Sequence, residues 1–269
     1  MTLAQTKDNS ISAVEHGAEL WQNGHVFIRD LADLVELEPA RRSISDAVLR
    51  LSSESRNLKD RDTYGKAFLQ VTNLWRHDEA VQHFVFNNKF AQVAADLLGV
   101  DKVRLYHDQA LFKEPGAGHT PWHQDKYYWP IDTDKMVTMW MPLVDVSEEM
   151  GVIRFASGSH KLRMIDNIEI SDKSEDIYDR YIAENGFAIN GPRSMNAGDA
   201  TFHLGWTIHS AGPNRSHDKM REVMTIIYFA DGARVTPPEN EHQQADLDTW
   251  LPGRQLGDLA DTDLNPIMN

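Results

Sequence analysis

The apolar residues of the chain change their period near residue 100. Before that point they recur at helical spacing: Leu31, Leu34 and Val35, then Ile44, Val48 and Leu51, then Val81, Phe84, Val85, Phe90, Val93, Ala94 and Leu97. Residues three and four apart cover one face of a helix. The pattern predicts helices over 11–22, over two stretches of 31–57 separated by Pro39, and over 79–98, with Gly99 as the last cap. Gly24 ends the first helix, and a short strand over 25–29 follows. From Lys102 the runs become short and β-rich: 103–112, 136–146, 151–156, 200–209 and 222–230, with Gly-containing turns between them. Several strands at that spacing predict a sandwich or barrel. A charged, partly helical stretch over 160–190 interrupts them and is too long for a hairpin. Long loops in compact domains are usually functional, and we expect a lid there. The expected organisation is one domain over 1–269. A mostly helical scaffold with a short leading strand occupies 1–101, the β core occupies 102–235, and 236–269 is a C-terminal extension.

Composition narrows the chemistry. There is no cysteine, so a metal would have to rest on His, Asp or Glu. With 27 basic and 41 acidic residues the net charge is −14. Such a surface repels phosphate backbones and anionic lipids, so the expected partner is a small molecule rather than nucleic acid or membrane. No apolar run approaches spanning length, and the N-terminal residues lack a secretory pattern, so the cytoplasm is the expected compartment.

Three local signals carry the chemistry. In Trp122-His123-Gln124-Asp125, an extended backbone turns residues 123 and 125 the same way, so an imidazole and a carboxylate can meet one ion. Alone, an H-x-D is a common accident. The second signal is His209, at the end of a strand that starts after the turn at Asn196–Asp199 and precedes the turn Ala211-Gly212-Pro213-Asn214. Two histidines and one carboxylate form a facial set that leaves positions open, as Fe(II) oxygenases require. The third is Arg221, twelve residues on, which a hairpin folds back beside His209. A guanidinium can grip a carboxylate by two parallel hydrogen bonds, as lysine cannot. Arg215 competes for this role but sits in the turn itself.

The segments WHQDKYYWP, MVTMWMPLVDVSEEMGVIRFASGSHK, AGDATFHLGWTIHSAGPN and MREVMTIIYF together resemble the phytanoyl-CoA dioxygenase family, a branch of the Fe(II)/2-oxoglutarate-dependent oxygenases. The likeness runs over about residues 103–231 and keeps the order of its features; the first hundred residues match only loosely. It implies a double-stranded β-helix, the cupin-like jelly-roll, mainly β with flanking helices. It also implies Fe(II), 2-oxoglutarate and O2, with His123, Asp125 and His209 as metal ligands and Arg221 on the distal carboxylate. Trp140 and Gln124 match positions flanking the cosubstrate. Ala211 departs from the family's usual serine, and Thr225 or Ser210 could replace it. The presence of Asp125 argues for hydroxylation or another oxidation rather than halogenation.

Other residues have plainer readings. Six residues of continuous strand would set His203 about 20 Å from His209, at about 3.3 Å each, so His203 is read as structural. His160 is read as fixing its turn. Tyr127 and Tyr128, and the polar Gln70 and Asn73 inside an apolar run, are candidates for substrate contact. Rival readings are an oxygenase catalysing desaturation, epoxidation or rearrangement, a cupin-like Zn or Mn isomerase or lyase, and a non-catalytic binding protein.

Overall fold

The computed structural model describes residues 15–163 and 168–269. Helix α1 (15–23) stops at Gly24, whose backbone is left-handed (φ +85°), and runs into β1 (His25–Ile28). One continuous helix follows, α2 (Leu34–Leu51), where the sequence predicts two. Pro39 lies inside it without breaking it. The hydrogen bond it forgoes would go to the carbonyl of Val35, a residue 82% exposed, so water satisfies that group. Short helix α3 (Thr63–Ala67) leads to β2 (Leu69–Thr72), a strand the periodicity does not reveal. The single helix expected over 79–98 is two, α4 (Glu79–Val85) and α5 (Asn88–Leu98). Asn87 separates them, its side chain capping the second by accepting from Lys89 N. Gly99 caps α5 in left-handed backbone, as expected.

The β region begins with β3 (Val103–Phe112), β4 (Thr120–His123), β5 (Met136–Pro142), β6 (Val146–Ser147) and β7 (Ile153–Ala156). After α6 (Asp172–Asn185) come β8 (Ile189–Asn190), β9 (Ser194–Met195), β10 (Ala200–Leu204), β11 (His209–Ala211) and β12 (Val223–Ala230), and α7 (Glu241–Trp250) follows. The expected runs 136–146 and 200–209 are therefore each divided.

Six strands form one sheet, in the order β1-β10-β5-β12-β3-β2, and four form a second, β4-β11-β7-β8. The two face each other as a jelly-roll and enclose the site. Residues alternate along β12 and β5: Met139, Met141, Met224 and Ile226 face a core shared with α2, α4 and α5, while Trp140 and Thr225 face the second sheet. The helical scaffold thus covers the outer face of the large sheet. Arg41 of α2 fastens it there by a two-pronged pair with Glu222, at 2.7 and 3.1 Å.

Of the stretch expected as a lid, residues 164–167 lie outside the described residues. Its helix α6 is pinned to the strand that carries the first ligand candidate. Trp122 N donates to Glu175 at 2.7 Å, the Trp122 indole to Asp179 at 2.8 Å, and Ser174 Oγ to the Trp122 carbonyl at 3.1 Å. Among the described residues no helix is long and apolar enough to cross a membrane.

Candidate active site

Strand register brings the first two signals together. β4 and β11 run antiparallel with His209 directly opposite His123, and Asp125 follows just past the end of β4. One ligand atom from each of His123, Asp125 and His209 lies within 4.8 Å of the other two, the arrangement that holds one ion. Both imidazoles are oriented from behind. Nδ1 of His123 faces the Pro121 carbonyl at 2.8 Å, and Nδ1 of His209 faces that of Thr207 at 3.0 Å. A ring that donates from Nδ1 keeps Nε2 as the free lone pair. Each Nε2 stands 3.6 Å from Asp125 Oδ1.

Burial depresses His123 to about 3, with His209 adding to the effect, and burial with His203 takes His209 to about 4. Both rings are therefore neutral, the form that binds metal. Burial alone would raise Asp125, but His209, the hydrogen bond from His203 and His123 outweigh it and hold the carboxyl well below the usual range. The set is hard nitrogen and oxygen donors in their ligating protonation states, and it fits Fe(II).

His203 stands outside the ligand set, but its expected separation from His209 is corrected. The strand expected over 200–209 ends at Leu204, and the chain turns at Gly205–Trp206 before His209. The rings of His203 and His209 are consequently 4.2 Å apart rather than at opposite ends of a strand. His203 Nε2 lies 3.2 Å from Asp125 Oδ2, which also accepts from Thr138 Oγ1 at 2.8 Å. These two groups occupy one carboxylate oxygen and leave Oδ1 for the ion. Gly205 makes the turn possible, because a Cβ there would lie 2.6 Å from the Trp129 ring.

The three side chains face a cavity of about 300 Å³ between the sheets. Arg221 lines one end and is 1% exposed. Nη1 donates to the Gly151 carbonyl at 2.8 Å and Nη2 to that of Leu111 at 3.4 Å, while Nε has no partner among the described residues. Burial pulls its pKa down to about 9, and no carboxylate opposes that shift. Buried Lys113 lies close enough that Arg221, after burial itself, lowers it further. The guanidinium meets no counter-charge among the described residues, as the distal carboxylate of an oxoacid needs. Gly151 bears on this as well. Its backbone is left-handed (φ +80°), and a Cβ there would meet the Gly212 carbonyl oxygen at 2.1 Å. Arg215 is exposed in its turn and does not line the cavity.

The remaining candidates divide. Trp140 and Thr225 line the cavity near Arg221, whose guanidinium lies 5.5 Å from the Trp140 ring centre. Ser210 and Ala211 line it too. Gln70 and Tyr128 line the cavity. Three candidates do not. The Gln124 amide is spent on the carbonyls of Arg163 and Trp206, at 2.8 and 2.6 Å. Asn73 adopts left-handed backbone at a turn and accepts from the Trp75 indole. Tyr127 packs behind Tyr128 against His242. His160 Nε2 meets the Trp21 carbonyl at 3.1 Å, tying its turn to α1. The cavity also has walls that the sequence reading missed: Tyr64, Phe68, His107, Gln109, Asp246 and Trp250. Asp246 and Trp250 are four apart on α7, hence on one helix face. That spacing was visible, but nothing in it said which way the face would point.

The sequence model of the phytanoyl-CoA dioxygenase family matches residues 20–223. A probable alpha-ketoglutarate-dependent hypophosphite dioxygenase of Stutzerimonas stutzeri is 28% identical over 172 residues, 61% of this chain and 58% of that relative's length. Dioxygenase andF of Emericella variicolor is 24% identical over 229 residues, covering 81% of this chain and 74% of the relative. Among solved structures, the epimerase SnoN in complex with Fe3+, alpha ketoglutarate and nogalamycin RO superposes with a TM-score of 0.78 at 23% identity, over 97% of this chain and all of that one. The non-heme carbocyclase SnoK from nogalamycin biosynthesis gives 0.76 at 22%, over 94% and 95% of the two chains. These structures share the fold.

Proposed function

The chain belongs to the phytanoyl-CoA dioxygenase family, and from that membership we propose that its cavity is the active site of a 2-oxoglutarate-dependent dioxygenase that hydroxylates an unactivated carbon of a small molecule, releasing succinate and CO2. The enzyme uses Fe(II), 2-oxoglutarate and O2. In this reading His123 Nε2, Asp125 Oδ1 and His209 Nε2 hold the metal, and Arg221 takes the distal carboxylate of 2-oxoglutarate. Trp140 and Thr225 wall the cosubstrate's chain. When bound, Fe(II) together with 2-oxoglutarate and O2 supplies the oxidising power that an unactivated C–H bond requires. No described helix could span a membrane, and we assign the protein to the cytoplasm.

The observation that carries this reading is a pairing within one cavity. Three ligand atoms converge on it, and a buried guanidinium whose Nε has no partner among the described residues lines it. A zinc or manganese isomerase has no use for the guanidinium. The chain's own groups prepare the chemistry. Thr138 and His203 lock the Asp125 carboxylate, the Pro121 and Thr207 carbonyls lock the imidazoles, and the apolar walls limit water. Ile170, from the stretch 160–190, borders the cavity, which supports a lid role for that stretch.

The test is succinate formation from 2-oxoglutarate under air with added Fe(II). Asp125→Ala and His209→Ala are each expected to abolish it, and full activity in either variant would sink the ligand assignment. Chelation should stop turnover while the far-ultraviolet circular dichroism of the protein stays native. Analysis of the oxidised product then separates hydroxylation from desaturation or rearrangement.

A further inference from the structure

The cavity also contains a carboxylate that meets no cation among the described residues. Asp246 of α7 lines the cavity, with Trp250 one turn further on. Its Oδ2 accepts from the Tyr106 hydroxyl at 2.9 Å, and the Trp250 indole is its other hydrogen-bond partner. Both donors are neutral. Burial pushes the carboxyl up to about 7 against those two bonds, and no basic side chain offsets it. A carboxylate placed in this way costs free energy until a cation pairs with it.

Aromatic faces adjoin it. Tyr64, Tyr128, Trp129 and Trp250 line the same cavity, and such faces attract ammonium groups. Tyr64 links this region to the metal centre. Burial, and then the charges of both Asp125 and Asp246, raise its hydroxyl to about 12 despite the bond it makes to Gln70. Outside lies a second cleft that shares Tyr64, Tyr128 and Ile170 as walls. It carries Asp62, Glu169 and Asp172 against Lys173 and His242. With a net charge of −14 over the whole chain, the field at this mouth concentrates cations. An anionic substrate finds little to hold it, because Arg221 is the only Lys or Arg among the described residues that line the cavity.

We propose that Asp246, with the aromatic faces of Trp250, Tyr64 and Tyr128, forms a subsite for the ammonium group of a small amine substrate. The subsite anchors the cationic end while a C–H bond of the same molecule lies before the ligand set. The inference rests on the reading of the cavity as a 2-oxoglutarate oxygenase site, since Arg221 must be occupied by the cosubstrate.

Calorimetric titration of the Fe(II)- and 2-oxoglutarate-loaded protein without oxygen tests it, using choline and its uncharged carbon isostere as probes. Choline is expected to bind at least about thirtyfold tighter, the lower end of what one partner of a buried charge pair contributes. Asp246→Asn, which keeps an acceptor for the Tyr106 hydroxyl, is expected to erase that ratio and leave 2-oxoglutarate binding unchanged. The wild-type comparison needs no variant, so a folding defect in Asp246→Asn leaves the test standing. Equal binding of the two probes to the wild type, or none by either, overturns the subsite while the cosubstrate reading survives. Failure of 2-oxoglutarate to bind at the loading step overturns that reading, and this inference with it, before either probe is added.

Discussion

At the scale of single residues, the decisive groups are buried charges that meet no opposite charge among the described residues. Arg221 is the clearest. Its neighbours are backbone carbonyls and the Trp140 ring, and its Nε has no acceptor among the described residues. Truncating one member of a buried charge pair costs about 2–5 kcal/mol, which at about 1.4 kcal/mol per decade is roughly thirtyfold to several thousandfold. Arg221→Ala is expected to weaken 2-oxoglutarate binding by that factor and leave Fe(II) binding nearly intact. Lysine at 221 should rescue only part of it, and Arg215→Ala should change little. A larger loss at 215, measured by calorimetry, would reverse the assignment of roles. The ligand candidates and Arg221 were legible in the sequence because each depends on short spacing: i and i+2 on a strand, or the two sides of one hairpin. His203 was not. Its position depends on whether residues 200–209 form one strand, and a glycine admitted by close approach to Trp129 decided against that.

Secondary-structure elements show where periodicity carries information and where it does not. The long strand β3 was read to the residue, because it is a β-rich run of ten residues bounded by Lys102 and the turn at Pro115-Gly116. The break between α4 and α5 was hidden because apolar spacing continues across it, and only the Asn87 cap marks the change. Pro39 misled in the other direction, since a proline near an exposed helix start costs little when water satisfies the orphaned carbonyl. Between elements, Asp108 fastens the turn 74–76 to β3. Its Oδ1 accepts from Leu74 N at 3.0 Å, while Oδ2 is buried without a partner among the described residues. Burial raises its pKa to about 7, with the Leu74 and Trp75 amides pulling the other way. The native state therefore keeps a proton that the unfolded chain releases above about pH 4. Stability from this group is full below about pH 4 and is lost as pH rises to about 7, by up to about 4 kcal/mol at about 1.4 kcal/mol per unit. Asp108→Asn lacks that loss. Its melting temperature relative to wild type is expected to rise between about pH 4 and about pH 7 and stay level above that, and a constant difference across that range would show that Asp108 does not titrate as described.

The whole molecule places its parts unevenly along the chain. The two sheets and the helices behind them were legible as a class from the change of period near residue 100 and from the resemblance over 103–231. The convergence of α7 on the cavity was not, because a ten-residue helix after the last strand carries no signal of where it docks. The match to the family ends at residue 223. By Thr225 the candidate ligand set, Arg221 and the proposed cosubstrate walls are complete, whereas Asp246 and Trp250 are still to come. On the proposed reading, Tyr64 and Tyr128 of the substrate subsite lie within the matched stretch, and Asp246 and Trp250 lie beyond it. A chimaera carrying a relative's helix in place of residues 241–250 is expected to change which compounds stimulate 2-oxoglutarate turnover while 2-oxoglutarate affinity stays put. A parallel fall in cosubstrate affinity would show the two stretches to be one unit. Where they are separate, a lineage acquires a new substrate by altering one short terminal helix, and the oxidising centre is inherited whole.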